Sequence, residues 1–191
     1  MKLRIYLLVI VFVCFFVPVL KAQRGDEALE KLMTATLPNK NHAVLANFVG
    51  HWKQDYIRSD GKDESASNGK SMNEMVFDGR FLEIKSQQNI SDQFVLSLQY
   101  IGFSIPEKKY FIFGIDGVGT GYQFATGDWN EKKKELFFKG TQTDAVTEKP
   151  VPFTITIRLE RENKFIYEVY SGEPGHMYKS LYIMNIKKDE E

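Results

Sequence analysis

Cysteine is almost missing. The 191 residues carry one, Cys14, inside an N-terminal apolar stretch that reads as removable. A mature chain without thiols excludes disulfide scaffolds, thiol catalysis and cysteine–zinc sites. Histidine is scarce as well. His42, His51 and His176 are the only three, and no two stand in a His-x-His or His-x-x-x-His spacing, so a metal-ligand pattern is lacking. There is no Gly-x-Ser-x-Gly nucleophile turn. Gly117, Gly119 and Gly121 alternate, but no Lys-Ser/Thr pair or helix pattern follows, so they make no phosphate loop. They read as strand glycines that relieve curvature in a closing sheet. No motif asks for a cofactor.

An excess of one charge is missing too. The chain has 25 basic and 25 acidic residues, but that balance averages two unlike pieces. Residues 1–22 hold Lys2, Arg4 and Lys21 and no acid; beyond them 22 basic residues face 25 acidic ones, a net charge near −3. A slightly acidic chain presents no basic face to phosphates, which argues against a nucleic-acid partner.

The first piece has the order of a secretory signal: basic Met1–Arg4, an apolar stretch from Ile5 to Leu20 broken only by Pro18, then Lys21 and Ala22 at the cleavage position. Its apolar stretch is shorter than the ~20 residues that span a bilayer. The mature chain is therefore expected to be exported, periplasmic or secreted, with no stable membrane insertion. An uncleaved anchor is the alternative. The expected division is 1–22 signal peptide, 23–46 helical segment and 47–191 barrel domain.

What the chain does have is aromatic residues: 26 in all, 22 after residue 22. That content argues against a disordered chain, and 169 residues suffice for one domain with a real core. Asp26 to Thr36 reads as a short helix, with Asp26 and Glu27 at its positive end and Leu29, Leu32 and Met33 on one face. Asn41 to Val49 adds another helical turn. After Gly50 the pattern changes to strands. Turn signals recur at Asp60-Gly61, Asp78-Gly79, Ser91-Asp92, Pro106-Glu107, Asp116-Gly117, Trp129-Asn130, Glu162-Asn163 and Glu173-Pro174-Gly175, with a longer loop at Asp144–Pro152. These connections imply about ten strands. Val151, Phe153, Ile155, Ile157 and Leu159 alternate with polar residues, and Phe165, Tyr167 and Val169 continue the inward face. Phe94, Leu96, Leu98 and Tyr100 alternate with Gln93, Ser97 and Gln99, whereas Tyr110 to Ile115 is apolar at almost every step. The expected fold is all-β: an antiparallel up-and-down barrel with a short N-terminal helix, because so long a meander closes on itself. A two-sheet sandwich is the structural alternative.

Gly50-His51-Trp52 at the start of the first strand resembles the Gly-x-Trp signature of the calycin superfamily, which includes the lipocalins. That resemblance implies a barrel-closure cluster of Gly50, Trp52 and a basic residue from the last strand, here Lys187, stacked on the indole. More of the chain supports a narrower likeness. Phe48-Val49-Gly50-His51-Trp52, Gly79-Arg80-Phe81-Leu82, Gly102-Phe103-Ser104, the strand–Asp–Gly-Thr segment Tyr110 to Thr120, Trp129-Asn130, Gly140 and Pro174-Gly175-His176 follow in order. Together they resemble the bacterial domain-of-unknown-function family DUF1579, a lipocalin-like family. Ser104 replaces the family's Asp and Gly114 stands where a Trp is common, so contacts made by those side chains do not transfer. The resemblance implies a calycin barrel and no activity.

The leading functional expectation is a barrel holding a small apolar or amphipathic ligand, with Gln99, Tyr122, Tyr167 and His176 in its interior or at its mouth. Two other readings stand beside it. One is a structural or protein-interaction barrel without a ligand, using Lys132-Lys133-Lys134 or Tyr170, Tyr178 and Tyr182. The other is an enzyme, an isomerase or hydrolase, using Asp116, Asp128 or His176. No catalytic constellation is assigned, and the pattern carries no signal for oligomeric state.

Overall fold

The computed structural model describes residues 26–90, 93–144, 147–172 and 175–188. The expected signal peptide, residues 1–22, lies outside them, as do the Ser91-Asp92 turn and Glu173-Pro174. The chain divides into two units, with the boundary between Leu37 and Pro38. The first contains helix α1, residues 26–35. Lys31 pairs with Glu27 one turn earlier at 2.7 Å, and the Thr36 hydroxyl donates to the Leu32 carbonyl at 2.9 Å as the helix ends.

The second unit opens with α2 (Lys40–Leu45) and a 3-10 turn (Ala46–Phe48). Asn39 caps α2. Its side chain accepts from the Asn41 N–H at 2.9 Å, and the His42 Nδ1 accepts in return from the Asn39 N–H at 3.1 Å. Ten strands follow: β1 (Gly50–Ser59), β2 (Glu64–Val76), β3 (Phe81–Ile90), β4 (Gln93–Ser104), β5 (Lys109–Asp116), β6 (Gln123–Asn130), β7 (Glu135–Thr143), β8 (Pro150–Arg161), β9 (Lys164–Ser171) and β10 (Tyr178–Lys187). Each pairs antiparallel with its sequence neighbour, and β1 pairs with β10, with Trp52 opposite Lys187. The result is a closed up-and-down barrel without a free edge. α2 belongs to this unit, which begins at Pro38.

Local chemistry explains most of the connections. The Asp60 carboxylate accepts from the Lys62 and Asp63 N–H groups at 2.9 Å, folding the β1–β2 turn. Trp129-Asn130 is not itself a turn. Both residues end β6, and the Asn130 side chain accepts from the Lys133 N–H at 3.2 Å to fold residues 131–134. Pro150 and Pro152 lie within β8, where β9 pairing begins only at Phe153, so no ladder bond is lost on that side. The glycines read as strand residues are in a loop instead. β5–β6 pairing stops at Gly114 and Gln123, leaving Gly117, Gly119 and Gly121 in the connection beyond it.

Phe153, Ile155, Ile157, Phe165, Tyr167 and Val169 are all buried in the barrel core. β4 runs the other way round. Ile101 is buried and Val95, Ser97 and Gln99 face the interior, so Phe94 and Leu96 point outward and are exposed.

Candidate functional site

One end of the barrel is sealed. The helical segment lays Leu45 and Phe48 into it, both fully buried. The Phe165 ring stands edge-on to Phe48 at 5.3 Å and to Trp52 at 4.6 Å. The Phe48 carbonyl accepts two bonds, from the Trp52 indole at 3.1 Å and from the Asn73 amide at 2.9 Å. The Tyr110 hydroxyl donates to the Asn41 carbonyl at 2.8 Å and ties α2 to β5. His42 is buried, edge-on to Phe103. Burial, and then the nearby Arg80 charge, lower its pKa. A neutral ring is what the cap on α2 requires, since Nδ1 is an acceptor there.

Gly50 is needed at this seal for two reasons. Its φ is +137°, and a Cβ there would lie 2.7 Å from Lys187 Cε. The lysine stem crosses Gly50 and brings its ammonium to 5.9 Å from the Trp52 ring. A cation over an indole contributes about 0.5–2 kcal/mol.

The opposite end is open. A cavity of about 880 Å³ descends from the ends of β1, β3, β5, β7 and β9 and the beginnings of β2, β4, β6, β8 and β10. Its two walls differ. β1, β3 and β4 present mostly polar side chains, Gln54, Tyr56, Ser86, Gln88, Ser97 and Gln99, with Ile84 and Val95 between them. β8, β9 and β10 present Val151, Phe165, Val169, Leu181 and Ile183, with Ser171, Ser180 and Asn185 set among them. The polar wall is prearranged. Tyr56 donates to Gln54 Oε1 at 2.7 Å, and Gln54 Nε2 donates to Asn185 Oδ1 at 2.8 Å. Arg58 donates to Gln88 Oε1 at 2.6 Å, and Gln88 Nε2 donates to Ser67 at 2.8 Å. Tyr167 reaches across from the apolar side, and its hydroxyl accepts from Gln99 Nε2 at 3.1 Å. That leaves the Tyr167 proton and the Gln99 carbonyl oxygen for another molecule. Burial pushes both Tyr56 and Tyr167 up to about 12, so both phenols are protonated donors at neutral pH.

The sequence candidates separate on this frame. Gln99 and Tyr167 are bonded to each other inside the cavity. Tyr122 is exposed at the rim, its ring stacked with Phe113 at 6.0 Å. His176 is exposed in the β9–β10 connection and does not line the cavity. Asp116 sits at the rim, where its carboxylate accepts from the Val118 N–H at 2.9 Å. Asp128 lies toward the sealed end, paired with Lys109 at 2.6 Å. The two carboxylates are thus separated by most of the length of β5, about 20 Å, and cannot share an acid–base step.

Sequence reasoning missed Gln54, Tyr56, Arg58 and Asn185. The signal was present. With Trp52 inward at the start of a strand, residues 54, 56 and 58 must also face inward. The same count back from Lys187 reaches Asn185 and Ile183.

A second, shallower groove of about 480 Å³ lies at the sealed end, lined by Asn39, Asn41, Phe103, Tyr110 and Trp129 among others. Among the described residues no cluster of His, Asp and Glu is arranged to hold a metal ion, and no helix is long and apolar enough to cross a membrane.

No curated protein matches this sequence. A family model described as a protein of unknown function, DUF1579, matches residues 37–187. The match spans the second unit nearly from end to end and includes both the sealed end and the cavity. The chain belongs to the DUF1579 family of proteins of unknown function.

Proposed function

We propose that this barrel is an exported carrier or receptor for one small amphipathic molecule, held in the open cavity with its polar edge on β1–β4 and its apolar edge on β8–β10. The observation that carries the reading is the two-walled cavity itself. A volume of about 880 Å³ suits a small-molecule site. Its Gln, Ser and Tyr side chains are already held in place by one another, so little ordering cost falls on binding. The same polar wall argues against a purely apolar ligand, which would leave the Gln99 oxygen and the Tyr167 proton unpaired. Export is supported by the basic, apolar and small-residue order of residues 1–22.

Native mass spectrometry of the protein recovered from envelope and secreted fractions tests both parts. The expected species begins at Gln23 and carries a one-to-one adduct that solvent extraction releases. A chain with residues 1–22 intact in the cytosol would count against export. A chain that is always free of adduct would count against the carrier reading.

A further inference from the structure

The outer wall of the barrel is of two kinds. Over β8 to β10 it is charged. Arg158 lies within ion-pair distance of Glu135, Glu160 and Glu168, and Lys179 pairs with Glu168 at 2.5 Å. Over β4 to β6 the outward positions from the mouth down to Phe111 carry no charge. They are Phe94, Leu96, Leu98 and Tyr100 on β4, Phe111, Phe113 and Ile115 on β5, and Phe124 and Thr126 on β6, with Tyr122 just before them. They form one surface. Leu98 is opposite Ile115, and Phe113 is opposite Phe124. Phe111 stacks with Phe124 at 6.4 Å and Phe113 with Tyr122 at 6.0 Å. Phe94 is 70% exposed and Leu96 63%, although the same strand sends Ser97 and Gln99 into the interior. A strand that turns its large apolar residues away from the core loses the burial that would repay them.

We propose that this wall is the interface of a homodimer, covered in solution by the same wall of a second copy. Area supports that occupant. Phe94, Leu96, Ile115, Tyr122 and Phe124 leave on the order of 600 Å² open, taking 150–250 Å² for a large side chain. Half-buried Leu98, Phe111 and Phe113 bring the face close to the ~800 Å² per partner of a standard interface. A lone soluble domain seldom exposes so large a continuous apolar face. The lack of charge also fits self-association about a two-fold axis, where every charge on the face would meet another near its own copy. A lipid surface fits less well. Asp116 directly follows Ile115, Asp60, Asp63 and Glu64 share the rim of the cavity mouth, and the lysines beside the wall stand singly on its two sides, Lys85 opposite Leu98 and already paired with Glu74, and Lys139 opposite Thr126.

Sedimentation velocity of the purified mature chain over a micromolar concentration series is the test. The expected result is a dimer that dissociates on dilution. The double variant Phe94→Lys/Leu96→Lys is expected to sediment as a monomer at every concentration while keeping the far-ultraviolet circular dichroism of the parent. If that variant does not fold, Tyr122→Lys, at the end of a loop, decides by the same readout. A parent chain that is monomeric at the highest concentration overturns the proposal, and so does a folded variant that remains dimeric. Monomeric protein that co-sediments with phosphatidylcholine vesicles also overturns it and assigns the wall to lipid.

Discussion

At the sealed end, inward positions carry Trp52 on β1, Leu82 on β3, Ile101 on β4, Leu136 on β7 and Phe165 on β9. Farther along the same strands, toward the mouth, they carry Arg58, Gln88, Ser97, Gln142 and Ser171. Strand pairing is continuous between the two ends, so the backbone does not distinguish them. The side chains do. At one end they interdigitate around two rings and an indole. At the other they bond sideways to one another and leave the middle empty. The packed core and the open cavity thereby lie at opposite ends of one sheet.

The first way to break this comparison is Trp52→Ala. Removing the largest fully buried side chain should cost about 3–5 kcal/mol in denaturant unfolding, and a loss below about 1 kcal/mol would show that the seal is not where stability resides. Gly50→Ala should cost less, about 1–3 kcal/mol, from the strained backbone and displacement of the Lys187 stem. Tyr167→Phe removes the acceptor from Gln99 Nε2 and should cost about 1 kcal/mol, while weakening adduct retention more than any sealed-end variant that folds.

His42 sharpens the comparison through pH. Its folded pKa lies below the ordinary 6.5. The unfolded chain therefore takes up the proton first, so this stability is fully present above pH 6.5 and is lost as pH falls through the folded value. Thermal melts from neutral pH downward should show a loss that is smaller in His42→Gln, and parallel curves would remove His42 from the account. The smallest effect is expected at the mouth. Gln142→Ala should change stability by no more than about 0.5 kcal/mol.

The fold was legible because turn chemistry is local. Asp60-Gly61, Asp78-Gly79 and Glu162-Asn163 mark real turns, and the alternation from Val151 to Leu159 marks a real inward face. The seal was legible from Gly50, Trp52 and Lys187 through their likeness to calycins. The cavity was only partly so. Gln99 and Tyr167 were named, but period-two patterning cannot say which face is concave. In β4 the apolar set faces outward, against the usual sense, and in Tyr110 to Ile115 both faces are apolar, so the outer wall was hidden there. His176 was named as well, but a turn histidine near a mouth and one inside it look the same in sequence.

The most direct test of the division between the ends is native mass spectrometry of Ser97→Trp beside the parent chain. Ser97 faces the cavity from the polar wall, so an indole there fills space without touching the seal. The account predicts that the parent retains a one-to-one adduct and the variant loses it, with both melting within a few degrees of each other. A folded Ser97→Trp that keeps its adduct would contradict it.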